Sequence, residues 1–267
     1  MYKNFTVIDS HCHIYPEKIA SKAVGGTDRF YDIVSKCEGT IDDLIARGKK
    51  AGVDHFIVQS VATTPQQVRK INEFIAQSVQ EHKGLLTGLG TLHPDSEDQK
   101  GDVEHLISLG LQGVKLHPDI QQFAIDDERC LRIYDLCQEK GLPILMHTGD
   151  NRYDFSKPIR LFNMAKKYDK VKFIGAHFGG YRCWEEVDVY KGLENVYFDT
   201  SSSLNFIDKN KAVEIIKKLG AERFFYGTDF PMWDAVSELE RFMALDLSSK
   251  QKQDILANNI KNLLSIK

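Results

Sequence analysis

A chain of 267 residues with 35 Lys and Arg against 38 Asp and Glu has a formal net charge of −3, so it carries no broad basic field for a nucleic-acid backbone. Its 42% apolar content is that of a globular protein with a sizeable core, and no segment offers the roughly 20 consecutive apolar residues of a membrane span. The five cysteines (Cys12, Cys37, Cys130, Cys137, Cys183) lack Cys-x-x-Cys spacing, which argues against a disulfide framework or zinc ribbon and for a reducing, cytoplasmic setting.

The opening Met1-Tyr2-Lys3-Asn4-Phe5 leads into an apolar run, Val7-Ile8-Asp9-Ser10-His11-Cys12-His13, with no stretch long enough for a signal peptide. Side chains two apart on a strand share a face, so His11 and His13 can offer two imidazoles to one ion while Cys12 points away. A solvated surface pair is the ordinary alternative. The segment from Tyr15 to Gly39 is irregular, with Gly25-Gly26, and reads as a long loop over a catalytic mouth or as a plain surface excursion. A helix is expected near Ile41 to Ala51.

Further β-rich runs begin near His55, Leu85, Gly113, Pro143, Val171, Val196 and Phe224, making eight with the first near Phe5. Amphipathic stretches such as Pro65 to Glu81 and Glu128 to Lys140 separate them, the alternation of βα units around a parallel sheet. Lys50-Ala51-Gly52, Lys140-Gly141 and Leu219-Gly220 each place a glycine where a left-handed helix C-cap is needed. With no low-complexity linker, the reading is α/β, a (β/α)8 TIM barrel forming one domain over residues 1–267.

Reactive residues fall where these strands end: Lys115-Leu116-His117, His147, His177 and Asp229. Barrel enzymes carry their chemistry at that face. His11, His13, His147 and Asp229 would supply three imidazoles and a carboxylate, a set that suits Zn2+ and also accepts Mn2+, Fe2+ or Co2+. An ion so held lowers the pKa of a bound water to about 7 and polarises a carbonyl. Asp229 is placed to ligate and to take the water's proton, and His177 to hydrogen-bond the water or to hold a second ion.

The motifs Ile8-Asp9-Ser10-His11-Cys12-His13, His147, Ala176-His177-Phe178-Gly179-Gly180, Tyr226-Gly227-Thr228-Asp229-Phe230-Pro231 and Ile255-Leu256-Ala257-Asn258-Asn259-Ile260 together resemble the amidohydrolase superfamily of metal-dependent TIM-barrel hydrolases. The likeness is to its branch of aminocarboxymuconate-semialdehyde decarboxylase-like enzymes. It implies His11, His13, His147 and Asp229 as ligands of one catalytic metal and His177 as the acid/base histidine. Other members carboxylate a strand-four lysine to bridge two metals, so Lys115 and His177 are second-metal candidates; an ordinary Lys115 ammonium would instead bind substrate or pair with a carboxylate.

Leu92-His93-Pro94-Asp95 and Leu116-His117-Pro118-Asp119 repeat four residues, making His93 and His117 candidate substrate contacts or simple turn residues. Arg152, Tyr153, Arg182, Trp184 and Trp233 follow strands closely enough to line a pocket, with surface charge and packing as the alternative. The leading function is hydrolysis of a small-molecule amide, lactone or ester, with Asp229 shuttling the proton. The alternative is non-oxidative decarboxylation of an unsaturated or aromatic carboxylate at the same site. A related deoxyribonuclease family lacks support, because its strand-four carboxylate is replaced by Gly113-Val114-Lys115, and a non-catalytic binding barrel is disfavoured by the complete ligand set. The expected partner is a small-molecule substrate, with a homodimer as an allowed assembly.

Overall fold

The structure, a computed structural model, describes residues 4–266, so the opening Met1-Tyr2-Lys3 lies outside the described residues. Nine strands follow in chain order: β1 (Ile8–His13), β2 (His55–Gln59), β3 (Leu86–Gly88), β4 (Gly90–Thr91), β5 (Val114–Leu116), β6 (Ile144–Met146), β7 (Phe173–Gly175), β8 (Val196–Asp199) and β9 (Phe224–Phe225). The run expected near Leu85 is thus two short strands interrupted at Leu89. The chain divides into two compact units, one of residues 1–59, 78–87 and 200–267, the other of residues 60–77 and 88–199.

In the first unit β1 and β2 pair in parallel, Ile8 opposite His55 and His13 opposite Gln59, with a register shift between Asp9 and Cys12 that leaves one extra residue on β1. On its other side β1 is laced to the segment after β9: Ser10 N–H donates to Tyr226 O, Asp229 N–H to His11 O and His13 N–H to Phe230 O, at 2.7–2.9 Å. The helix Ile41–Ala51 begins where the Thr40 hydroxyl accepts the Asp43 N–H and stops at Gly52 in the left-handed region, φ 88°. Within it Gly48 lies against β2, where a Cβ would stand 2.1 Å from Phe56 Cζ. Only glycine allows that approach.

Two expectations are corrected in this unit. The segment read as a loop is a helix over Glu17–Tyr31, burying Ala20 and Val24 one turn apart behind Pro16; that inward stripe outweighs the helix-weakening Gly25-Gly26. Gly220 does follow a helix, Lys209–Leu219, but with φ 98° and ψ 116° it turns the chain outside the left-handed helical well.

The second unit holds β4 to β8 as five parallel strands in sequence order. Leu116, Met146, Gly175 and Phe198 stand in one register row across β5 to β8. Helices Gln99–Ser108, Glu128–Lys140 and Pro158–Lys167 alternate with the strands, the second capped by Asp127 at its start and by Gly141, φ 66°, at its end. Its core closes around Tyr134, which meets the edge of Phe173 at 5.7 Å and donates its hydroxyl to Ile125 O. Among the described residues no helix is long and apolar enough to cross a membrane.

Candidate metal centre

In the first unit His11 and His13, on β1, come together with Asp229, in the segment after β9. Their facing atoms form a triangle: His11 Nε2 to His13 Nε2 3.2 Å, His11 Nε2 to Asp229 Oδ1 3.3 Å, and His13 Nε2 to Asp229 Oδ1 3.6 Å. Ligand bonds of about 2.0–2.2 Å to a tetrahedral ion require ligand-to-ligand edges of about 3.3–3.6 Å, whereas an octahedral ion with bonds of about 2.0–2.1 Å requires about 2.9 Å. The residues present fit a metal ion in both donor type and spacing. The two β1 histidines share a face as alternation implied, although the register shift falls between Asp9 and Cys12; Cys12 is fully buried away from them, its thiol pushed well above its ordinary range by burial.

His11 and Asp229 are held from behind. His11 Nδ1 lies 3.1 Å from Ser201 Oγ, which fixes the ring's outer nitrogen. Ser202 Oγ donates to Asp229 Oδ2 at 2.5 Å and accepts the Trp233 indole N–H at 2.9 Å, so Trp233 helps to anchor the carboxylate. Fully buried Asp9 accepts the Thr228 N–H at 2.9 Å, the Thr228 hydroxyl at 2.6 Å and the His11 N–H at 3.2 Å. Burial raises its carboxyl to about 6, against the lowering pull of those hydrogen bonds. Asp9 thereby joins the first strand to the loop that carries Asp229.

In the second unit the reactive residues occupy the row just beyond the strand pairing, fixed by His147 N–H to Leu116 O at 3.0 Å and Ala176 N–H to Met146 O at 2.9 Å. His117, His147 and Asp199 stand on that row, with His177 one residue further on. His147 Nδ1 meets His177 Nε2 at 3.0 Å, and the Asp199 carboxylate accepts the His177 backbone N–H at 3.0 Å. Burial first, then the imidazoles of His117 and His177 and the Lys115 ammonium, pushes His147 well below the ordinary imidazole range. It is a neutral ring, the form that can ligate a metal.

His117, Asp119 and His147 also converge, with His117 stacked on His147 at 4.0 Å and 7°. His117 is nonetheless a poor ligand as it stands. Its Nδ1 accepts the Ile120 N–H at 3.3 Å, which leaves the ring proton on Nε2 and makes that nitrogen a donor. His93 Nδ1 likewise accepts a backbone N–H, here from Asp95 two residues on, at 3.2 Å. The repeated His-Pro-Asp thus sets a tautomer in both turns. Asp119 Oδ2 accepts the Ser156 hydroxyl at 2.5 Å and lies 3.5 Å from His147 Nε2, and burial lifts the carboxyl to about 6.

Lys115, on β5, is fully buried. Arg152 does fork onto a carboxylate, but onto buried Asp150 two residues away, at 3.0 and 2.7 Å, with its guanidinium over the Tyr153 ring at 5.2 Å. Tyr153 itself is 37% exposed. Trp184 donates to His177 O at 3.1 Å, so it braces the histidine's backbone. Of the eight described non-glycine residues with positive φ, four belong to these clusters: His177 at 61°, Phe178 at 60°, Ser202 at 49° and Asp229 at 64°. A backbone conformation costing on the order of 1–3 kcal/mol persists only where the surroundings enforce it, and such strain gathers at functional sites. Sequence reading missed Ser201, Ser202, Asp119, Asp150 and Asp199; the run Thr200-Ser201-Ser202-Ser203 directly after a strand was the available signal.

The family model described as Amidohydrolase matches residues 8–266. No curated protein matches the chain in sequence. Among solved structures, an uncharacterised TIM-barrel protein from Bordetella bronchiseptica is similar at 18% identity and TM-score 0.82, covering 97% of this chain and 98% of that one. The 5-carboxyvanillate decarboxylase LigW from Sphingomonas paucimobilis is similar at 14% identity and TM-score 0.79, over 98% and 100%. A dihydroxybenzoic acid decarboxylase from Polaromonas sp. JS666, with bound manganese and the inhibitor 2-nitroresorcinol, is similar at 16% identity and TM-score 0.75, over 98% and 97%. The fold is that of the TIM barrel, as the alternation of strands and helices implied.

Proposed function

The chain belongs to the amidohydrolase family of metal-dependent enzymes, and from that premise we propose that it hydrolyses a small-molecule amide, lactone or ester. The observation that carries this reading is the buried triangle of His11 Nε2, His13 Nε2 and Asp229 Oδ1. The ion we assign there is a single zinc, for which manganese, iron or cobalt can substitute; the mixed imidazole and carboxylate donor set supports it. The sequence resemblance adds His147 as fourth donor. When bound, the ion supplies Lewis-acid polarisation of the scissile carbonyl and acidifies a water.

The chain's own groups do the rest. Ser202 occupies Asp229 Oδ2 and so turns Oδ1 toward the two imidazoles, where the carboxylate can take the proton of the attacking water. Water adds to the carbonyl carbon, the bond to nitrogen or oxygen breaks, and the proton passes to the leaving group. Lys115, as an ordinary ammonium, and the Nε2–H of His117 serve as substrate contacts.

Decarboxylation is the second reading. It is favoured by the 3.0 Å contact of His147 with His177, an imidazole pair able to deliver a proton to carbon, and by the activity named for two of the similar structures. Incubation of the zinc-loaded protein with amides, lactones and aromatic carboxylates in 18O-labelled water separates the two. Label in the product acid identifies hydrolysis; carbon dioxide release without label identifies the lyase. Asp229→Asn should abolish whichever occurs and weaken zinc binding, and undiminished turnover in that variant overturns the reading.

A further inference from the structure

Gln59 is the last residue of β2 and stands directly opposite His13 in the parallel register. Register partners on adjacent strands present their side chains to the same face, so the Gln59 carboxamide shares the face on which His13 approaches Asp229. The residue is fully buried, and neither Nε2 nor Oε1 has a hydrogen-bond partner among the described residues. A buried polar group left in that state bears its full desolvation cost, and the great majority of such groups in folded proteins are satisfied. The rest of the strand shows what packing alone selects: Phe56, Ile57 and Val58 are apolar and buried. A leucine would fill Gln59's place without that cost.

We propose that Gln59 is a substrate-recognition residue. Its carboxamide presents an N–H donor beside a C=O acceptor. It therefore pairs with a substrate edge that offers an acceptor and a donor side by side, a hydroxyl adjacent to a carboxylate or carbonyl. An isolated carboxylate would be met by arginine or lysine, whose donors have no acceptor among them. The assignment rests on the proposed function, since it takes the His11, His13 and Asp229 face as the substrate side.

The test compares wild type with Gln59→Leu, each zinc-loaded, by thermal denaturation and by equilibrium dialysis against salicylate, which has the adjacent hydroxyl, and benzoate, which lacks it. Gln59→Leu should raise Tm by about 2–4 °C, because an apolar side chain of similar size replaces an unsatisfied amide. It should also lose tenfold or more in salicylate affinity while benzoate binding changes less than twofold. A lowered Tm, equal salicylate binding by the two proteins, or no salicylate binding by wild type overturns the proposal. Zinc stoichiometry is read in the same samples and is expected to be unchanged in Gln59→Leu. Absence of zinc binding in wild type would defeat the proposed function itself, whereas a wild type that binds zinc but not salicylate overturns the Gln59 assignment alone.

Discussion

Replacing Ser202 with alanine removes one oxygen that two buried groups depend on. Ser202 Oγ accepts the Trp233 indole N–H at 2.9 Å and donates to Asp229 Oδ2 at 2.5 Å, with Ser202 2%, Trp233 9% and Asp229 6% exposed. Stranding a neutral donor costs about 1–3 kcal/mol, and losing a hydrogen bond to a carboxylate costs about 1.5–3 kcal/mol. The sum is about 2.5–6 kcal/mol, and a water entering the space left by the hydroxyl would bring the effect toward the lower end, about 3 kcal/mol. For a chain of this size that lowers the Tm of the metal-free protein by about 6–12 °C at 2–4 °C per kcal/mol. Because Oδ2 loses its anchor, metal affinity should fall about 10–100-fold, measured by chelator competition. The double variant Ser202→Ala with Trp233→Phe removes the stranded indole donor as well. It should recover about 1–2 kcal/mol relative to the sum of the single changes. A Ser202→Ala protein within about 0.5 kcal/mol of wild type and with unchanged metal affinity would refute the reasoning.

Two other outcomes follow from buried groups away from the ion. Glu238, 1% exposed, is raised by burial from 4.5 to about 7 even though Arg241 donates to it at 2.6 Å; the folded state holds the proton more tightly, so stability is full below about pH 4.5 and falls as pH rises to 7. At 1.36 kcal/mol per unit, Glu238→Gln should therefore gain about 3 kcal/mol on wild type between pH 5 and pH 8 in parallel denaturant titrations, and a constant difference over that range would contradict it. Gly149 has φ 82°, and a Cβ there would lie 2.3 Å from Tyr181 N and 2.4 Å from Gly180 C, so Gly149→Ala should cost about 2–5 kcal/mol by chemical denaturation; near-wild-type stability would show that this loop yields easily.

The parts legible in the sequence were those whose spacing is itself the signal. Alternation along one strand put His11 and His13 on a common face, and recurring strand ends drew attention to His117, His147, His177 and Asp229. The βα rhythm gave the barrel. What escaped was whatever depends on a partner distant in sequence or on common residue types. Ser201 and Ser202 are unremarkable until one meets His11 and the other Asp229 and Trp233. The fork of Arg152 onto Asp150, two residues back, was likewise hidden, because nothing in the sequence marks that carboxylate as buried. The helix Glu17–Tyr31 was hidden by two glycines and a sparse apolar stripe, and Leu89 breaks a strand that composition reads as continuous.

The tie between Asp9 and Thr228 spans 219 positions. Synthesis delivers His11 and His13 more than 200 residues before Asp229, and chains emerge at about 5–20 residues per second. The two imidazoles therefore exist for roughly ten seconds or more before the carboxylate that completes the triangle has been made. During that interval the nascent chain holds the two imidazoles without the carboxylate, and Asp9 lacks the two Thr228 donors. On the proposed site, full metal affinity therefore waits for Asp229, and any truncation before Thr228 removes both the proposed closing ligand and the clamp that aligns the opening strand.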